Sequence, residues 1–114
     1  MKRLERLRVN YIDDEAYAIA VDNNGNVYVT GTSWGGATGY DYATIKYGPN
    51  GEELWVRRYD GGGDDEAYAI TVDDSGYVYV TGSSWGDGTY QDYATIKYSP
   101  DGRELWVSRY NGGG

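Results

Sequence analysis

The chain has 114 residues, a formal charge of −8, and neither cysteine nor histidine. These absences exclude disulfide bonds, zinc sites built on cysteine or histidine, and catalysis through a thiol or an imidazole. The acidic surface that the charge implies disfavours binding to nucleic acid or to an anionic membrane, so we expect neither as a partner and predict no cofactor.

The lead, residues 1–12, is basic, in contrast to the rest of the chain. It lacks the long apolar stretch and the cleavage site of a secretory signal, and no segment is long and apolar enough to span a bilayer; we therefore expect neither a signal peptide nor a transmembrane segment. Leu7, Val9 and Tyr11 alternate with polar residues, which predicts an extra or exchanged outer strand that contacts a neighbouring copy. The alternative is a solvated tail.

Residues 13–63 and 64–114 are two versions of one sequence of 51 residues, which align without a gap and are identical at 37 positions. Self-similarity at such a period indicates stacked structural units. A unit of this size buries only about 60% of its surface when it folds alone, so the units must pack on each other or on copies. The high identity fits either design or recent duplication.

Short apolar or alternating segments, separated by turn residues, predict four β-strands in each repeat. They cover residues 16–21, 27–31, 42–47 and 53–59 in the first repeat, and 67–72, 78–82, 93–98 and 104–110 in the second. The first strand has alanines at positions 16, 18 and 20 and larger apolar residues at 17, 19 and 21. This alternation places the alanines on one face and predicts a strand that is covered on both faces.

The segments between these strands have the composition of turns and loops. Residues 22–26 are rich in Asn and Gly, residues 48–51 read Gly-Pro-Asn-Gly, and both patterns are typical of hairpin turns. A glycine-rich loop, residues 32–39, joins the second and third strands, and residues 60–63 connect the two repeats. The predicted arrangement is an antiparallel meander in each repeat.

The strings AYAIAVDNNGNVYVTG and YDYATIKYGPNGEELWVRRY recur in the second repeat as AYAITVDDSGYVYVTG and QDYATIKYSPDGRELWVSRY. They resemble the bacterial SBBP-type β-propeller repeat, and the resemblance covers both repeats nearly end to end. It implies an all-β fold of two four-stranded antiparallel β-propeller blades, with the first strand at the central channel and the fourth at the rim. It implies no catalytic motif, and it suggests exported bacterial relatives.

Two blades are fewer than the roughly 4 to 8 that close a propeller. Because both outer faces would be apolar, we expect copies of the chain to assemble head to tail into a closed ring. A trimer with six blades is favoured over a tetramer with eight. Trp55 and Trp106 in the fourth strands are predicted to pack between blades and, together with Leu7, Val9 and Tyr11, to form the contact between copies.

Acidic residues precede the first strand of each repeat. In a ring, Asp13, Asp14, Asp64 and Asp65 would gather at one mouth of the channel and form a candidate Ca²⁺ or Mg²⁺ site, because hard cations prefer carboxylate oxygens. The alternative is a solvated acidic rim.

A candidate ligand site lies around the glycine-rich loops, where Trp34 with Asp41, and Trp85 with Asp92, combine an aromatic surface with a carboxylate suited to a sugar ring. The alternative is that these tryptophans pack over the adjacent blade. Near-identical repeats do not supply the two different carboxylate environments that glycoside hydrolysis needs, so we predict no enzyme. The predicted function is a structural, self-assembling propeller fragment; the alternative is a multivalent module that binds glycan or protein.

Overall fold

Two antiparallel sheets of four strands each make up the described part of the chain. A computed structural model describes residues 14–36, 39–61, 63–85 and 91–110. Blade 1 contains β1 (Asp14–Val21), β2 (Val27–Trp34), β3 (Tyr40–Tyr47) and β4 (Glu53–Tyr59); blade 2 contains β5 (Asp65–Val72), β6 (Val78–Trp85), β7 (Gln91–Tyr98) and β8 (Glu104–Tyr110). Each sheet follows chain order, so the predicted all-β fold with a four-stranded meander in each repeat is confirmed. Among these residues no helix has the length and apolarity needed to cross a membrane.

The second strand of each blade is longer than its sequence predicts. β2 continues to Trp34 because residues 32, 33 and 34 pair with residues 42, 41 and 40 of β3. β6 continues in the same way to Trp85. Both tryptophans therefore end a strand and do not lie within a loop.

A β-bulge in the first strand changes which side chains share a face. The pairing with β2 passes from Ala16 to Ala18 and leaves Tyr17 outside the register. One inserted residue shifts the alternation, so Ala16 lies on the same face as Ile19 and opposite to Ala18. The prediction that the alanines at 16, 18 and 20 share a face was wrong for this reason. β5 has the same irregularity between Ala67 and Ala69.

The core lies between the two blades, in a contact that we call the seam. Blade 1 contributes Tyr28, Tyr42 and Trp55, and blade 2 contributes Ala67, Val78, Val80, Ala94, Ile96 and Tyr98. Successive side chains of a strand point to opposite faces, and these two sets occupy opposite faces of the repeated unit. The blades therefore stack front to back, and each blade keeps one face that the seam does not use.

Candidate interaction site on the blade faces

Tyr42 of β3 is buried at the seam. Its hydroxyl donates a hydrogen bond to the Ala94 carbonyl oxygen at 3.0 Å, and its ring centroid lies 5.4 Å from that of Tyr59. Burial raises the pKa of the Tyr42 hydroxyl, so the group stays protonated and remains a donor at any ordinary pH. Tyr42 thus joins the blades through both its ring and its hydroxyl.

Three side chains of blade 1 donate hydrogen bonds to the turn at residues 99–102 of blade 2. They are Lys46, Trp55 and Arg57, and we call them the clasp. Trp55 Nε1 and Lys46 Nζ donate to the Pro100 carbonyl oxygen at 3.0 and 3.1 Å, and Arg57 Nε donates to the Gly102 carbonyl oxygen at 2.6 Å. Gly102 has a φ of +91° and lies so close to the indole that a Cβ there would be 2.9 Å from it. Backbone conformation and close approach both require glycine at this position.

Arg109, at the opposite end of the seam, contacts another strand of blade 2 and also contacts blade 1. Arg109 Nη2 forms an ion pair with Asp92 at 3.0 Å, and its Nη1 donates to the Tyr59 hydroxyl oxygen at 2.8 Å. Burial acts to lower the pKa of Arg109, but the bonds to Tyr59 and Asp92 outweigh it and raise that pKa. Blade 1 has the equivalent ion pair, between Arg58 and Asp41, also at 3.0 Å.

Two aromatic residues that blade 1 buries at the seam have equivalents 51 positions later in blade 2. These equivalents are exposed on the outer face of blade 2. Tyr42 has none of its surface exposed and Trp55 has 8%, whereas Tyr93 has 66% and Trp106 has 43%. Tyr93 stacks on Tyr110 with a centroid distance of 5.7 Å, where Tyr42 makes a tilted contact with Tyr59, the equivalent residue of β4. The open face of blade 2 therefore carries the aromatic residues of the seam without a covering blade.

The open face of blade 1 carries a cavity of about 300 Å³. Its apolar lining includes Ala16, Val29, Ala43 and Ile45. The residues 51 positions later are all buried in the seam, in the cluster that contains Tyr42. The cavity thus corresponds in position and lining to the surface of blade 2 on which Tyr42 packs.

The residues predicted to form the contact between copies separate into three groups. Trp55 lies in the seam within one chain, so its assignment to a contact between copies is corrected: blade 2 of the same chain already covers it. Trp106 is exposed on the open face of blade 2. Leu7, Val9 and Tyr11 lie outside the described residues.

The carboxylates predicted to form a metal site are held by separate donors. Asp14 accepts a hydrogen bond from Ser33 Oγ at 2.6 Å, and Asp64 accepts one from the Tyr40 backbone N–H at 3.1 Å. Asp13 lies outside the described residues. The described part of the chain does not bring Asp14 and Asp64 into one carboxylate cluster.

Asp65 belongs to a different cluster, in which carboxylate oxygens of Asp41, Asp60 and Asp65 lie within 4.8 Å of one another. Asp65 is fully buried and accepts hydrogen bonds from the Gly61 backbone N–H at 2.7 Å and from Ser84 Oγ. Burial raises the pKa of Asp65; these hydrogen bonds oppose the shift, and the negative charges of Asp60 and Asp41 reinforce it. Protein donors account for the position of Asp65, and the cluster alone does not assign a cation.

The predicted ligand site around the tryptophans is only partly assembled. Trp34 and Trp85 are exposed at the ends of their strands, and Trp34 makes an edge contact with Tyr40 at a centroid distance of 5.0 Å. Asp41 and Asp92 are instead buried in ion pairs with arginine. The expectation that these carboxylates accompany the exposed aromatic surface is corrected, because Asp41 and Asp92 pair with Ser33 and Ser84, one position before the tryptophans, and therefore point to the opposite face of the sheet.

The sequence interpretation missed Tyr42 and Tyr93 as interaction residues. The signal that identifies them is the period of two along the third strand, which puts Tyr42 on the same face as Thr44 and Lys46. Because Tyr93 is the equivalent residue of the second repeat, the same assignment applies to it.

A comparison with protein-family models finds a match to the SBBP beta-propeller repeat at residues 7–36 and 54–88. Together the two matches cover more than half of the chain. The second runs from β4 across the connector and through β6, so it spans both blades. No curated protein matches the chain.

Proposed function

The chain belongs to the SBBP β-propeller repeat family, and we propose that it is a structural propeller fragment whose copies assemble by packing the open face of blade 2 on the open face of blade 1. The observation that carries the proposal is the seam. It is a contact between two such faces, and the equivalents of the residues that form it lie on the two outer faces, where they are exposed or half-buried. Apolar and aromatic surface of this kind on a soluble protein usually marks an interaction site.

The polar contacts of the seam also have their counterparts on the open faces. Trp106 and Lys97 stand where Trp55 and Lys46 donate in the seam, and the turn of blade 1 offers Pro49 as the matching acceptor. Tyr93 stands where Tyr42 does, opposite the cavity of the next copy. A contact between copies would therefore satisfy the same donors and fill the same apolar surface.

Because one face of a copy binds the opposite face of the next, the contact is heterologous and closes into a ring when the rotation per copy divides the circle. We propose a closed ring of three copies with six blades, with four copies and eight blades as the alternative. The role that we assign to it is architectural and involves no catalysis.

The test is the mass of the assembly in solution. We expect sedimentation velocity and native mass spectrometry to find a single closed species of three or four copies at micromolar concentration. The Y93D variant places a charge where the next blade would cover it and should reduce the mass to that of one chain, because an unpaired buried charge is costly. A wild-type chain that stays monomeric at that concentration would overturn the proposal.

A further inference from the structure

We propose that Ser108 makes the contact between copies weaker than the seam within a chain, and that this residue sets how readily the assembly exchanges its subunits. The inference rests on the proposed function, since it concerns the strength of that contact. The two contacts would use equivalent residues at most positions. The clasp is an exception, because Arg57 of blade 1 is replaced in blade 2 by Ser108.

Arg57 makes several interactions at the seam. Its Nε donates to the Gly102 carbonyl oxygen at 2.6 Å, its Nη1 donates to the Val56 carbonyl oxygen at 2.7 Å, and its guanidinium carbon lies 5.7 Å from the centroid of the Trp55 ring. Hydrogen bonds from a charged donor are stronger than those between neutral groups. The bond to Val56 and the indole hold the guanidinium in place, so that Nε reaches the turn of the next blade.

Ser108 occupies the same place in blade 2 but lacks this reach. Ser108 pairs with Thr95 as Arg57 pairs with Thr44, so both side chains leave the sheet on the same face. A serine hydroxyl ends after one carbon, so it does not extend over the turn of a neighbouring blade. Of the three clasp donors, the tryptophan and the lysine recur in blade 2 and the arginine does not. The contact between copies keeps the shape of the seam and loses the charged hydrogen bond that Arg57 makes there.

The receiving turn on blade 1 is suited to an arginine at position 108. Gly51 has a φ of +92°, nearly the +91° of Gly102, so its carbonyl belongs to a turn of the same conformation. Glu52 follows that turn, where blade 2 has Arg103. An arginine at 108 would thus meet a matching carbonyl acceptor on a turn that also carries a carboxylate.

The experiment compares wild type with S108R and with S108Q, a neutral side chain of intermediate length. Sedimentation gives the concentration at which the assembly dissociates, and mixing of two fluorescently labelled populations gives the rate of subunit exchange. We expect S108R to lower the dissociation concentration by about tenfold and to slow exchange, with a smaller effect of S108Q. The melting temperature of the dissociated chain should not change, because Ser108 is exposed there.

Two outcomes would overturn the inference, and they can be told apart. If wild type assembles and S108R assembles no more tightly, or no more tightly than S108Q, Ser108 does not set the strength of the contact and the proposed function stands. If wild type and S108R both remain monomeric, the proposed function fails and this inference fails with it.

Discussion

The Tyr42 hydroxyl donates a hydrogen bond to the Ala94 carbonyl oxygen at 3.0 Å, across the seam between the two blades. Ala94 O also accepts a bond from a threonine of its own blade, and Ala43 O accepts the equivalent bond from Thr30 at 3.2 Å. Ala43 lines the cavity on the open face of blade 1, and Tyr93 is exposed on the open face of blade 2. The seam therefore displays, within one chain, the contact that we propose between copies.

Removing the Tyr42 hydroxyl tests its hydrogen bond against a matched control. We expect Y42F to lower the free energy of unfolding by about 1 kcal/mol, the usual net contribution of one hydrogen bond. Y93F removes an exposed hydroxyl and should leave that free energy unchanged. Urea unfolding of both variants, at a dilution where the chain is monomeric, makes the comparison. If Y42F and Y93F lowered the free energy of unfolding equally, the hydrogen bond of Tyr42 across the seam would not account for the loss.

The two tryptophans of the fourth strands provide a larger contrast. We expect W55A to lower the free energy of unfolding by about 3–5 kcal/mol, because it removes a buried aromatic side chain and leaves a cavity. W106A should cost the dissociated chain less than about 1 kcal/mol but should weaken assembly. Thermal unfolding and the mass in solution give the two measurements. A dissociated W106A chain as unstable as W55A would contradict the structure.

All eight strands could be predicted from the sequence because their signals are local. Asn-Gly and Pro-Asn-Gly turns in the first repeat, and Ser-Gly and Pro-Asp-Gly turns in the second, bound the alternating segments. Turn chemistry depends on neighbouring residues only. The strand ends were less predictable. β2 reaches Trp34 through its pairing with β3, and the bulge at Tyr17 depends on how β1 meets β2. Both are relationships between segments, which a local pattern does not contain.

The candidate site was even less predictable from local sequence patterns. Trp55 and Trp106 occupy equivalent positions, so no local rule separates the buried residue from the exposed one. Only the stacking of blade 2 on blade 1 does so. Asp41 combined with Trp34 suggested a ligand site because the residue types suit a sugar, whereas the ion pair with Arg58 could be found only by placing β3 beside β4.

The bulge predicts a strong dependence on one glycine. A Cβ on Gly31 would collide with the Glu15 carbonyl oxygen and the Ala16 Cα, which are backbone atoms and cannot turn aside. We expect G31A to displace β1 and to prevent cooperative folding. G51A is the control, because nothing lies within 4 Å of its Cβ and its cost is the positive φ alone, about 1–2 kcal/mol. Circular dichroism with urea unfolding compares them, and similar stabilities would rule out the close approach.

Asp22 in the first hairpin turn should make the free energy of unfolding depend on pH in the acidic range. Burial acts to raise its pKa, but hydrogen bonds from the side chains of Asn26 and Tyr28 and from the backbone of Asn26 and Asn24 outweigh it and lower the pKa from 3.8 to about 2. A carboxyl whose pKa is lower in the folded state adds stability at higher pH, and this contribution is lost as pH falls through the folded value.

We therefore expect the charge of Asp22 to contribute fully above about pH 4 and to lose its contribution as the pH falls towards about 2. D22N keeps a side chain of the same shape without the charge, so the difference in free energy of unfolding between wild type and D22N should shrink over that range. Urea unfolding from pH 2 to pH 5 measures it. D73N alters the equivalent turn of blade 2, where hydrogen bonds, first from the backbone of Tyr77, likewise lower the pKa of Asp73, and it should behave in the same way. A wild-type–D22N difference that is constant across this range would show that hydrogen bonding, and not charge, accounts for the role of Asp22.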